Sequence, residues 1–255
     1  MHSLFPARRC AIAVMAKAPV AGRAKTRLAP LLGEEGAAAL GAAFLRDVTD
    51  SLAEAARHAP IDRFVAYAPA GQEGLFDGLL APGTRLLLAD GAIAAPPGIA
   101  GFGCVLLHAL QALFGQGYAG VALVSADSPT LPSRFYAEAA RVLLDPQGAD
   151  AVLGPAEDGG YYLLGLRTPH PHPFRAITWS SASVAATTRT RLEEAGLSLH
   201  SLPPWYDVDD PASLARLQAG LGMPEPAAWP APATARALAA LPACTLAAPS
   251  RPCRA

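Results

Sequence analysis

The stretch "AIAVMAKAPVAGRAKTRLAP", residues 11–30, decides the fold class. Six apolar residues run without interruption and then meet Lys17. A short continuous apolar run is the mark of a strand buried on both faces, which points to a parallel sheet covered by helices. The chain then enters a loop carrying Lys17, Arg23, Lys25 and Arg27 and no acid. In parallel sheets, ligands sit beyond the carboxyl ends of the strands. A strand that ends in uncompensated positive charge therefore asks for an anion.

Working outward, strand and helix patterns alternate along the chain. Residues 34–57 read as a helix with Leu40, Phe44, Val48 and Leu52 on one stripe. Strands follow at 63–68 and 84–89, a helix at 104–114, and another buried strand at 120–126. A helix bearing Phe135, Ala139 and Val142 precedes strands at 150–154 and 161–166. A helix over 181–196, a short strand at 198–203 and a helix at 211–220 complete the series. This alternation predicts an α/β fold, a mostly parallel sheet with helices on both faces. After Gly222 the composition turns to Pro and Ala with few large apolar groups. The expected organisation is one domain over residues 1–222 and a mobile tail over 223–255 with one weak helix.

Charge excludes some functions. Twenty Lys and Arg against 21 Asp and Glu give a formal net charge of −1. No global field recruits nucleic acid or a membrane surface, and no run reaches the roughly 18 apolar residues of a membrane span. The four cysteines have no CxxC spacing. That pattern suits a reducing, cytoplasmic setting, with Cys10 and Cys104 as buried thiols.

The unusual motifs cluster at strand ends. Gly22, Lys25, Thr26 and Arg27 can wrap phosphates with backbone N–H groups and cationic side chains. The loop lacks the GxxxxGK[ST] order of a P-loop. "LVSADSPTLP" (123–132) runs an apolar strand into Asp127, either a carboxylate for Mg²⁺ or a residue that opens the turn before Pro129. "LGPAEDGGYYLLGL" (153–166) places Asp158, Gly159 and Gly160 before Tyr161 and Tyr162. A hairpin turn is its minimal reading, and close approach of a ligand the functional one. "ITWSSASV" (177–184) offers Trp179, with Ser180 or Ser181 as a helix cap. In "WYDVDDPASL" (205–214), Asp210 before Pro211 reads as a cap, whereas Asp207 and Asp209 share one face if extended. "HPH" (170–172) fits a Pro-rich loop better than a metal site, and "GIAGFG" (98–103) is a weak nucleotide-loop signal.

Taken in order, "AKAPVAGRAKTRLAP", "SADSPTLP", "LGPAEDGGYYLLGL", "WSS" and "YDVDDPASL" resemble the DUF2064 group of GT-A-type transferases over about residues 10–217. That group includes transferases named for arsenosugar biosynthesis or for association with radical-SAM enzymes. The chain is also similar to 2-phospholactate guanylyltransferases. The resemblance implies a nucleotide-diphosphosugar transferase fold that binds an activated nucleotide beside Mg²⁺ or Mn²⁺. It implies that Lys25 and Arg27 hold phosphates within a loop running from Ala16 and Lys17 through Gly22, Arg23 and Thr26. Asp127 and Asp209 would be the metal ligands, with Lys25, Arg27 and Asp127 serving catalysis. Asp158, Gly159, Gly160, Tyr161 and Trp179 would border a small-molecule acceptor.

Family members commonly carry an acidic "GDLG" followed by Arg where this chain reads "GIAGFGCVL" (98–106). The expected reaction is nucleotidyl transfer from an NTP to a phosphorylated acceptor. The alternatives are glycosyl transfer from an NDP-sugar, or a degenerate nucleotide-binding protein without turnover.

Overall fold

A computed structural model describes residues 8–222 and 228–241. Seven strands form one sheet in the order β3-β2-β1-β4-β6-β5-β7. They are β1 (Cys10–Lys17), β2 (Ile61–Ala68), β3 (Arg85–Leu88), β4 (Gly120–Ser125), β5 (Ala151–Pro155), β6 (Tyr161–Leu166) and β7 (Leu199–Ser201). The helices are α1 (Ala29–Ala55), α2 (Phe102–Gly115), α3 (Ser133–Leu144), α4 (Val184–Glu194), α5 (Pro211–Gly222) and α6 (Pro232–Ala239). All strand pairs are parallel except those made by β6, which runs against both β4 and β5. The α/β expectation holds, and each strand and helix read from the sequence is present within a few residues.

β1 is an interior strand between β2 and β4, and Cys10 to Val14 are fully buried. Its two faces differ in size. Ile12 and Val14 face α1 and α3, whereas Ala11 and Ala13 face α2 and leave room for Leu106, Leu107 and Leu110. Side chains alternate across a strand, so one short sequence serves two layers of different depth.

The hairpin reading of Asp158-Gly159-Gly160 is correct. The turn joins β5 to the antiparallel β6, with Ala156 N–H donating to Gly160 O at 2.9 Å. This hairpin reverses β6 and makes the sheet mixed.

α1 breaks at Gly33, whose φ of 72° and ψ of 163° are not helical. The regular helix therefore begins beside Glu34, as the sequence predicts. The expected single stripe on α1 divides, however. Val48 and Leu52 pack on the sheet, while Leu40 and Phe44 join a third cluster with Leu28, Val208, Leu214, Leu217 and Leu238.

Part of the stretch after Gly222, expected as a mobile tail with one weak helix, packs on that third cluster. Residues 228–241 lie on the domain, with Ala231 and Thr234 buried and Leu238 in the cluster. Asp47 of α1, itself fully buried, accepts N–H bonds from Ala233 at 3.0 Å and Thr234 at 2.6 Å, the first turn of α6. A carboxylate at a helix N-terminus satisfies amides that have no partner within the helix. Trp229 N–H donates to Thr130 O at 2.9 Å. A few anchors and one capped turn suffice to seat this segment because the receiving surface is already apolar. Residues 223–227 and 242–255 lie outside the described residues, as do Cys244 and Cys253.

Candidate functional site

The site assembles where the topology reverses direction. β1 and β4 are neighbours with Met15 opposite Ser125, so Lys17 and Asp127 emerge side by side at the carboxyl edge. β6 begins and β5 ends at the same edge, which brings in Asp158 and, beyond β7, the segment 205–210. A strand-order reversal of this kind opens a crevice by geometry alone.

Lys25 is its centre. The Nζ atom lies 2.6 Å from Asp127 Oδ1 and 2.9 Å from Asp209 Oδ1, and donates to Val208 O at 2.7 Å. An ammonium has three donors, and all three are engaged. The side chain is only 8% exposed, while the two carboxylates are 39% and 40% exposed. Phe44 lies beneath the ammonium, its ring centroid 4.9 Å away. Lys25 itself has φ +47° and Gly22 φ +74°, so the loop makes two left-handed turns to deliver this side chain. Burial alone would lower the Lys25 pKa, but Asp127 and Asp209 reverse the effect and hold it above the usual lysine value.

More negative charge surrounds this ammonium than it can balance. Asp207 is half-buried, and its pKa is pushed up to about 6, first by burial and then by repulsion from Asp158, Asp209 and Asp127. Asp207 thus feels three other carboxylates across the crevice. Among the described residues, no group of three or more His, Cys, Asp or Glu side chains is placed to hold a metal together. The protein offers two converging carboxylates, Asp127 and Asp209.

The remaining residues of the basic loop behave differently from Lys25. Lys17, Arg23, Thr26 and Arg27 are exposed, and Ala16 is half-buried at the end of β1. Arg27 is close enough to Asp210 to help lower its pKa, after the dominant hydrogen bonds from Ser213. Asp210 Oδ1 accepts the Ser213 N–H at 2.7 Å, so the helix-cap reading of Asp210 is correct.

On the other side of the crevice, Asp158 Oδ1 accepts the Gly160 N–H at 2.8 Å. Gly159 has φ +92°, and a Cβ there would sit 2.1 Å from Ala182 O. The glycine is needed by the packing of the segment before α4, which accounts for it without a ligand. Tyr162 is core, stacked on Phe135, with its hydroxyl donating to Pro203 O at 2.8 Å. Tyr161 faces the α2 layer, and its buried hydroxyl has no hydrogen-bond partner among the described residues. Trp179 packs edge-on against Phe102, ring centroids 5.3 Å apart, and Phe102 is 47% exposed. Ala176 N–H bonds to Gly98 O at 2.7 Å and ties the 98–103 loop to the segment that carries Trp179.

The structure thus brings together Lys25, Asp127 and Asp209, with Asp158 and Asp207 within electrostatic reach. Trp179 stands with Phe102. Sequence reasoning named Asp207 only for the face that it shares with Asp209, and passed over Phe102. The signal for Asp207 was present in the DVDD spacing. That for Phe102 was hidden in a loop read only for its glycines.

Comparison with known proteins bears on this arrangement. A family model described as "Uncharacterized protein conserved in bacteria (DUF2064)" matches residues 51–181. No curated protein matches the chain. Among solved structures, a Desulfovibrio desulfuricans G20 protein, provisionally assigned as a nucleotide-diphospho-sugar transferase, is 31% identical. The match covers 85% of this chain and 90% of that one, with a TM-score of 0.73. CMP:2-keto-3-deoxy-manno-octonic acid synthetase, solved with CTP, is 13% identical with a TM-score of 0.52, covering 84% of this chain and 98% of that one. At that identity the second likeness shows a shared fold. The fold is that of the nucleotide-diphosphosugar transferases, and the chain belongs to the DUF2064 family.

Proposed function

We propose that the protein is a divalent-metal-dependent transferase that uses a nucleotide-activated sugar as donor. The observation that carries this reading is the convergence of Asp127 and Asp209 on a single cation at the carboxyl ends of β1 and β4. Mg²⁺ or Mn²⁺ fits such a donor set. These ions favour oxygen ligands and commonly take one or two carboxylates, leaving the remaining positions to phosphate and water. The excess negative charge expressed in the raised Asp207 pKa is what such a cation would offset. Bound there, the metal would neutralise charge on the departing diphosphate.

The chain's own residues supply the rest. Lys17, Arg23 and Arg27 are exposed at the end of β1 and in the loop that follows it, and are suited to the diphosphate. Lys25 holds the two carboxylates together and has no donor left for phosphate in this arrangement. That point weighs against reading the loop as a triphosphate clamp. The 31% identical relative is assigned to nucleotide-diphospho-sugar transfer, which leans the same way.

An acceptor would enter past Asp158, Gly160 and the Trp179–Phe102 pair, with a hydroxyl attacking the anomeric carbon. That side offers acids and aromatic edges, which suits an uncharged acceptor with a ring or apolar face better than a phosphorylated one. The experiment is thermal shift with NTPs and NDP-sugars, each with and without Mg²⁺. Metal-dependent stabilisation by an NDP-sugar is expected. Stabilisation by an NTP but by no NDP-sugar would transfer the proposal to nucleotidyl transfer, and stabilisation by neither would refute it.

A further inference from the structure

The opposite edge of the sheet carries a second concentration of positive charge. Arg9 precedes β1, Arg63 is the third residue of β2, and Arg85 opens β3. These three strands are adjacent and parallel, so their first residues gather at the amino edge. There they line an open cavity of about 490 Å³ together with Asp62 and Gly83. At about 3.3 Å per residue, the eight-residue β1 places this edge roughly 23 Å from the Lys25 crevice.

The cavity is organised by its own contacts. Asp62 accepts a hydrogen bond from Arg9 Nε at 2.8 Å and from the Tyr118 hydroxyl at 2.8 Å, and lies 3.3 Å from Arg85 Nη2. Arg85 also rests over the Phe64 ring, 4.2 Å from its centroid. One carboxylate thus orients two guanidinium groups and neutralises only one of the three. The third is held separately. Arg63 Nη2 donates to Pro82 O at 2.8 Å, while Nη1 is buried and has no hydrogen-bond partner among the described residues. Gly83, at φ +79°, has no side chain to displace it, since a Cβ would meet Arg63 Nη2 at 2.9 Å. Arg63 has no carboxylate partner among the described residues, so its charge is left for an anion in the cavity to balance.

We propose that this cavity is an anion-binding site for a phosphoryl-bearing small molecule, separate from the donor crevice. Planar guanidinium forks match phosphate oxygens in pairs. The volume is in the range of small-molecule pockets rather than that of a lone ion. The site lies outside the proposed reaction, so a ligand there acts on the protein as an effector and not as a substrate.

The test uses hydrogen–deuterium exchange on the full chain titrated with inorganic pyrophosphate. Saturable protection of residues 79–86 is expected. It should persist in Arg27→Gln, which removes one of the exposed cations suited to the diphosphate in the other crevice, and weaken at least tenfold in Arg63→Gln. Arg85→Gln is the second variant should Arg63→Gln fail to fold, with the same loss expected. Absence of protection at 79–86 in the natural protein, or undiminished protection in the arginine variant, would overturn the proposal.

Discussion

Lys25 Nζ lies 2.9 Å from Asp209 Oδ1, although 184 positions separate the two residues. A nearly buried ammonium therefore holds together carboxylates that would otherwise repel one another. Lys25→Met should lower the melting temperature of the metal-free protein, corresponding to about 2 kcal/mol. That is less than the roughly 3–5 kcal/mol of a fully buried pair, because both carboxylates are more than a third exposed. Mn²⁺ should restore part of the loss by taking over the same charge balance. Melting curves in chelator and in millimolar Mn²⁺ check this, and an unaltered melting temperature in chelator would contradict it.

Asp127→Asn keeps the shape of the side chain and removes its charge. Fold and melting temperature should change little, whereas the metal-dependent shift produced by the donor should disappear. Turnover should fall on the order of 10²-fold, the usual cost of losing one electrostatic contact to a developing charge. A variant with full metal-dependent donor binding would remove Asp127 from the site.

Asp207 makes the metal-free protein sensitive to pH. Its folded pKa is raised from 3.8 to about 6, so between those values the folded chain keeps a proton that the unfolded chain has released. Stability from this group therefore falls as pH rises through that window and stays reduced above it. Asp207→Asn should raise the melting temperature at pH 8 and leave it nearly unchanged at pH 4, measured in chelator. An equal effect at both values would assign the change to packing instead of charge.

Asp47 anchors the segment after Gly222 through two amides of α6. Asp47→Ala leaves those N–H groups without their acceptor and should cost about 1–3 kcal/mol. A chain ending at Gly222 should lose more, because Leu238 also leaves the third cluster. Denaturant unfolding of the two variants orders them. Equal stability of the shortened and full chains would show that this packing contributes nothing.

What the sequence determined by itself follows from local rules. The uninterrupted apolar run of β1, the helical stripe after Gly33, the Asp-Gly-Gly turn and the Asp210 cap each depend on neighbours within a few positions, and all four are legible. So was the cation-rich loop. The tertiary structure decided what those pieces do to one another. Only the strand order places Asp127 and Asp209 against Lys25, and this makes one cation of the loop the partner of two carboxylates. Only the shape of α1 shows that Leu40 and Phe44 turn away from the sheet and hold residues 228–241. The physical reason is common to both cases. Propensity, turn geometry and capping act over one or two turns of chain, whereas charge pairing and burial depend on distances in space, which the topology sets and local sequence does not encode.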